Sequence, residues 1–149
     1  MSGVAATTHG SYEIGPRYDE LPALNDVPTI QRYFKDHGYY TLAGGKVLHH
    51  GFTGRLSKAI DQSLGREKGR RPKNIMNRPA HWSGAWDWGQ YPDEDTRMAD
   101  FQLAQKAANF LQSDFTPPFF LSVGFFRPHV PLFALSLIHI SEPTRPTLI

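Results

Sequence analysis

Apolar positions along the chain fall into blocks whose spacing predicts four elements. Ile30, Tyr33 and Phe34 lie at i, i+3 and i+4, one stripe of a helix. Asn25 and Asp26 can cap its start, Pro28 suits its first position, and Gly38 is a natural stop. Tyr39–Ala43 is aromatic and β-branched, which predicts a short strand closed by Gly44 and Gly45. Met98, Phe101, Ala104, Ala108 and Leu111 repeat at helical spacing behind Asp93–Asp95, which supply caps and negative charge to the helix start. After the break at Thr116-Pro117-Pro118, Phe119–Phe126 is almost wholly apolar without alternation, the pattern of a strand covered on both faces of a parallel sheet.

Two stretches give no periodic signal. Residues 1–24 read as a loop. Residues 51–92 hold no convincing element, only a basic run (Arg66, Lys68, Arg70, Arg71, Lys73) and then Trp82, Trp86 and Trp88. A structureless stretch that long inside a compact domain is usually functional, or else the mark of elements the pattern does not reveal. The order helix, strand, long loop, helix, strand predicts an α/β fold with a mainly parallel, doubly wound sheet.

Composition narrows the function classes. The chain has 149 residues, enough for one core, and 16 basic against 14 acidic residues, so net charge makes no case for a nucleic-acid partner. With no cysteine, it has no disulfide, no thiolate metal site and no cysteine nucleophile. Met1–His9 lacks the basic and apolar regions of a signal peptide, and no apolar run approaches the roughly 20 residues that cross a bilayer, so no membrane partner is expected.

The candidate chemistry sits where the two strands end. The first runs into Gly44-Gly45-Lys46-Val47-Leu48-His49-His50, the second into Gly124-Phe125-Phe126-Arg127-Pro128-His129. Ligands of open α/β sheets bind at the carboxyl ends of strands, so Lys, His, Arg and His at two such ends describe an anion pocket. Lys46 would place a point charge on an oxyanion. His49 and His129 titrate near neutrality and can donate to the anion or move a proton to a leaving group. Taken singly, each feature has a plain structural reading: glycines that serve a turn, a solvated lysine, a histidine pair in a loop, a polar strand exit. Their joint placement favours the pocket.

The runs TIQRYFKDHGYYTLAGGKVLHHGF and PPFFLSVGFFRPHVPL resemble two segments of the sulfatases, one ending in Gly-Lys-x-x-His and one in Lys/Arg-Pro-His. The likeness is to the group that includes iduronate-2-sulfatase, over residues 25–134. It implies part of the mixed, mainly parallel sheet of an alkaline-phosphatase-like catalytic domain, truncated at both ends, with residues 1–24 as its N-terminal segment. It also implies that Lys46 binds sulfate, that His49 rather than His50 contacts the formylglycine hydroxyl and helps release sulfate, and that His129 binds sulfate and assists the departing alcohol. Arg127 fills the Lys/Arg slot and is an expected substrate contact. The implied substrate is a small-molecule or glycan sulfate ester, the implied cofactor calcium, and the implied setting of the parent enzyme the periplasm or the cell exterior.

Parts of that machinery are not found. No Cys/Ser-x-Pro-x-Arg motif, the family's formylglycine site, occurs before Lys46, and no match to the family's calcium-ligand motifs occurs. Ser141-Glu142-Pro143-Thr144-Arg145 matches the formylglycine motif, but it follows the Arg-Pro-His strand instead of preceding Gly-Lys. The surrounding LSLIHISEPTRP resembles the translation of a sequencing-library adapter, so residues 135–149 are expected to be a non-native tail. The chain alone is therefore expected to show no sulfatase turnover. Two other readings stay open: a phosphodiesterase or phosphonate hydrolase of the same superfamily, and a non-catalytic polyanion-binding module built on the basic run and its tryptophans.

Overall fold

In the computed structural model, residues 2–13, 15–66, 68, 69 and 71–134 are described. They form three α-helices, α1 (Ala6–His9), α2 (Ile30–Asp36) and α3 (Ala99–Leu111), and five strands. The strands are β1 (Tyr40–Gly45), β2 (Gln62–Gly65), β3 (Trp88–Gln90), β4 (Phe119–Gly124) and β5 (Leu132–Ala134).

β1 is the strand that both faces cover. Every residue from Thr41 to Gly45 is buried, and parallel neighbours take both edges in the order β2-β1-β4. Leu42 faces Gln62 on one side and Leu121 on the other. The two helices lie on opposite faces of this sheet. Leu42 and Leu64 pack with Leu103 and Ala107 of α3, flanked by Tyr40, Phe110 and Leu121. The alternate residues of β4 turn to α2: the Phe120 ring stacks on Phe34 at 4.3 Å, and Ser122 Oγ accepts from Gln31 Nε2 at 3.2 Å. This is the α/β arrangement that the element order predicts. Asp61 fastens it, accepting from Thr41 N and Oγ1 at 2.9 Å each and pairing with Lys35 Nζ at 2.7 Å.

Several details differ from expectation. Residues 1–24 are not all loop: they include α1 and two 3-10 turns, Tyr18–Glu20 and Pro22–Leu24, each too short for periodicity to register. α2 starts at Thr29, whose side chain accepts from Arg32 N, and not at Asn25 or Asp26. Ile30 and Tyr33 are exposed, whereas Gln31 is buried at 1%, because Ser122 gives its amide a partner under the helix. In α3 the inward face is Ala99, Leu103 and Ala107, while Phe101 and Leu111 are exposed. The acidic residues Asp93–Asp95 lead into a 3-10 turn, Asp95–Arg97, that Asp95 itself begins, and α3 starts only after Met98.

β4 departs most from expectation. Phe119 and Val123 remain exposed, since among the described residues β4 is the edge of its sheet. The stretch 51–92 contains β2 and β3, both missed. β2 is Gln-Ser-Leu-Gly, with almost no strand propensity, and exists through its ladder with β1. β3 pairs in parallel with β5, Trp88 against Leu132 and Gln90 against Ala134.

Asp87 organises the tryptophan loop. Its carboxylate accepts from the backbone amides of Met76, Asn77, Arg78 and Trp88, and its carbonyl accepts from Leu132 N at 2.9 Å. Burial pushes this carboxyl up, but the four amides outweigh it and hold it down to about 2. A depressed carboxyl stabilises the fold above its unfolded pKa, roughly 4, and that contribution is lost as pH falls through the folded value. Asp87→Asn is therefore expected to lower thermal stability at pH 6 and to erase the near-ultraviolet dichroism of the loop tryptophans. The gap to the parent chain should narrow as pH falls from 4 toward 2; a gap that is constant with pH would contradict the assignment.

Candidate functional site

β1 and β4 end side by side, and glycines let them do so. Gly45 has φ +72, and Lys46 N donates to Gly124 O at 2.5 Å. A Cβ on Gly45 would meet Gly124 O, and one on Gly124 would meet Lys46 C and O, all closer than the 3.0 Å that real Cβ atoms keep. Gly44 is equally crowded by Leu103 and Leu64. The two strand exits, with Lys46 and His49 on one and Arg127 and His129 on the other, are thus pressed together by the absence of side chains between them.

Beyond this junction opens a cavity of about 430 Å³, and Lys46, His49, Arg127 and His129 all line it. His50 is not among its lining residues, although its ring sits edge-on to His49 at 4.8 Å. The basic run reaches the same cavity: Arg66, Lys68 and Arg71 line it as well, and Arg70 lies outside the described residues. No carboxylate is among the described lining residues.

Arg66, which the sequence pattern places in a loop, is a wall of the site. Its Nη2 donates to the His49 carbonyl and its guanidinium lies 5.4 Å from the centre of the Phe126 ring. The hydrogen bond fixes the turn that carries His49. The signal available in the sequence was the basic run itself, but nothing local tied it to Lys46.

A second residue missed by sequence reasoning is Asp100, in the first turn of α3. Its two carboxylate oxygens accept from Phe126 N and Arg127 N at 2.8 Å each, clamping the exit of β4. Arg127 then braces the loop that follows: its Nη1 donates to the carbonyls of His129 and Pro131, and its guanidinium lies 5.7 Å from the Phe133 ring. Burial lowers the Arg127 pKa, Asp100 opposes this, and Arg71 adds to the lowering. One of Arg127's nitrogens is therefore spent on the protein itself.

The two histidines differ. Nδ1 of His129 lies 2.8 Å from the Val130 carbonyl oxygen, which can only accept. Nδ1 therefore carries the hydrogen, which leaves Nε2 as the ring nitrogen that this backbone contact does not engage. The His49 pKa is lowered by desolvation first and then by the positive fields of His50, Lys46, Arg66 and His129. A bound anion would reverse that field and favour the protonated ring.

A cavity of about 400 Å³ elsewhere, lined by Arg32, Asp36, Arg55 and Asp26 among others, mixes charges, and Arg32 is already paired with Asp36 at 2.7 Å. It offers an anion nothing comparable. Among the described residues no three carboxylate or imidazole groups gather as metal ligands would, so these residues by themselves do not fit calcium. Nor is any helix among them long and apolar enough to cross a membrane. Ser141 and the stretch read as a non-native tail lie outside the described residues.

Comparison with known proteins gives these features a setting. The sequence model of the sulfatase family matches residues 1–140, beyond the stretch 25–134 that carried the resemblance and into the start of the C-terminal segment. A protein of Formosa agariphila described as a sulfatase is 31% identical over 151 residues, covering 89% of this chain and 29% of that protein. Iduronate 2-sulfatase of Mus musculus is 30% identical over 116 residues, covering 69% of this chain and 21% of that protein. The chain thus spans less than a third of the length of the curated relatives it matches. No solved structure matches it.

Proposed function

Because the chain belongs to the sulfatase family, whose general reaction is hydrolysis of sulfate esters, we propose that Lys46, His49 and His129 form the sulfate-binding wall of such an active site. The observation that carries the reading is the convergence of two strand ends on one cavity whose described lining residues include cations and imidazoles and no carboxylate.

The chemistry asked of these residues is charge neutralisation and proton transfer. A sulfate ester presents anionic oxygens whose charge must be held while negative charge builds on the departing alkoxide. Lys46 donates to a sulfate oxygen as a strong point charge. His129, protonated on Nε2 with Nδ1 held by Val130, gives its proton to the leaving alcohol. His49 contacts the nucleophilic residue and helps sulfate depart once its own ring is protonated. Arg127 holds the loop that aims His129 and contributes its remaining nitrogens to the anion's field. The formylglycine that the family resemblance implies would supply the nucleophile. The substrate class is a sulfate ester of a sugar or other small alcohol, and the natural setting is the periplasm or the cell exterior.

Protonation of His49 gives a direct test. Its pKa is lowered in the free protein and rises when an anion sits beside it, so sulfate binding takes up a proton in the window below about 6.5. Calorimetric titration with inorganic sulfate should show affinity rising as pH falls from 7 to 5, by up to about tenfold per pH unit between the free and bound pKa values. His49→Gln should flatten that slope. An affinity that does not change with pH, or a slope as steep in the variant as in the parent chain, would overturn the role given to His49.

A further inference from the structure

One carboxylate stands behind both halves of the anion wall. Asp100 lies in the first turn of α3 and is not among the described residues that line the cavity. An acidic residue there would ordinarily serve its own helix, through the helix dipole. Asp100 instead gives both oxygens to another segment, one to Phe126 N and one to Arg127 N. Two charge-assisted bonds to successive amides fix the orientation of the backbone between them. From Phe126 two arms then lead into the site. The backbone arm runs to His129, whose N donates to Phe126 O at 2.8 Å and whose ring is tied through Nδ1 to the Val130 carbonyl. The side-chain arm runs to His49: the buried Phe126 ring carries the guanidinium of Arg66, and Arg66 donates to the His49 carbonyl. Gly51 leaves room for that arm, since at φ +75 a Cβ there would meet Arg66 Cδ at 2.9 Å.

The two rings cannot hold one another. The positive field of His129 reaches His49, and like charges repel, so their common aim has to come from outside the pair. We infer that Asp100 is a positioning residue that sets His49 and His129 relative to one another, acting through the amide and the ring of Phe126. The inference rests on the reading of Lys46, His49 and His129 as the sulfate wall, and it adds the group that keeps both rings on one anion.

The test follows both imidazoles by nuclear magnetic resonance in the intact chain, first without ligand and then with inorganic sulfate. Asp100→Asn keeps one acceptor but sets its amide nitrogen against a backbone N–H, donor against donor. Without sulfate, His129 should then move from the tautomer with hydrogen on Nδ1 toward a mixture, and the His49 ring signals should shift. Sulfate affinity should fall about tenfold, because a wall correctly posed a tenth of the time binds that much more weakly. Asp61→Asn is the comparison, since Asp61 accepts from Thr41 N and Oγ1 and pairs with Lys35 where β1 and β2 begin. It should also lower the melting temperature, yet leave the His129 tautomer unchanged and sulfate affinity within about twofold. Phe126→Leu keeps the backbone arm and shortens the other, so it should move the His49 signals and not the His129 tautomer. Rings in Asp100→Asn that behave as in Asp61→Asn would overturn the positioning role. So would unfolding of Asp100→Asn as a whole, which would assign Asp100 to the fold at large, and so would a His49 ring unmoved by Phe126→Leu. Absence of sulfate binding by the parent chain would overturn the reading beneath the inference, whereas the tautomer is observed without sulfate and decides the positioning separately.

Discussion

Gly45→Ala is expected to be among the most disruptive single substitutions in the chain. A side chain at φ +72 costs about 1–2 kcal/mol through backbone strain alone. Its Cβ would also meet Gly124 O, and backbone cannot swing aside as a flexible side chain could. Overpacking of a fixed neighbour adds about 1–3 kcal/mol. The sum, about 3 kcal/mol, corresponds to a fall in melting temperature of roughly 10 °C for a chain of this size. Gly38→Ala is the control, because Gly38 has φ +82 with open space around its missing Cβ. It should show the strain without the clash, a drop of about 3–5 °C, from about 1 kcal/mol. Equal losses for the two variants would show that the β1–β4 junction yields easily and that the glycines do not set the site. Because Lys46 N is bonded to Gly124 O across this junction, the Gly45→Ala chain should also bind sulfate more weakly than its residual fold predicts.

The other large effect belongs to Lys46. A hydrogen bond to a charged group is worth about 1.5–3 kcal/mol, so Lys46→Ala should weaken sulfate binding by about ten- to a hundredfold. Stability should change little, since Lys46 is half-exposed and no ion pair to a carboxylate holds it among the described residues. Lys46→Arg should restore only part of the affinity, because the larger planar group places its donors elsewhere. Full restoration would show that net charge in the cavity matters and the position of the ammonium does not.

How much of this could be read from the sequence depends on how local each signal was. β1 and β4 announced themselves through dense runs of apolar and aromatic residues, and α3 through its spacing. The parallel pairing of β1 with β4 followed from the α/β order. The pocket residues were legible for the same reason: Lys46, His49, Arg127 and His129 all follow directly on strands that the pattern located.

What escaped was held together by partners far along the chain. β2 has no strand signature and owes its form to β1. β3 and β5 are three-residue strands tied by the carbonyl and carboxylate of Asp87, whose four amide partners no periodicity could suggest. The inward face of α2 carries Gln31, a polar residue buried because Ser122 receives its amide. Arg66 became a site residue only once β2 had placed it over Phe126. Asp100 sits on a helix that pattern located, yet its role in clamping the amides of Phe126 and Arg127 is a contact across more than twenty residues of chain. β4 meets a helix on each face, as its apolar run implied, but only β1 among the described strands of this sheet has neighbours on both edges, which an apolar run cannot reveal.

The central claim is that Lys46, His49 and His129 act together on one anion. Its most direct test is a nuclear magnetic resonance titration of the labelled chain with inorganic sulfate at pH 6, in the parent and in Lys46→Ala. The account predicts one saturable transition that moves the imidazole signals of His49 and His129 and the amides of residues 45–49 and 126–129 with a single affinity, and a loss of that affinity of at least about tenfold in the variant. Sulfate that moves the two imidazoles with different affinities, that perturbs the Arg32 and Arg55 side of the protein instead, or that binds Lys46→Ala as well as the parent would contradict it.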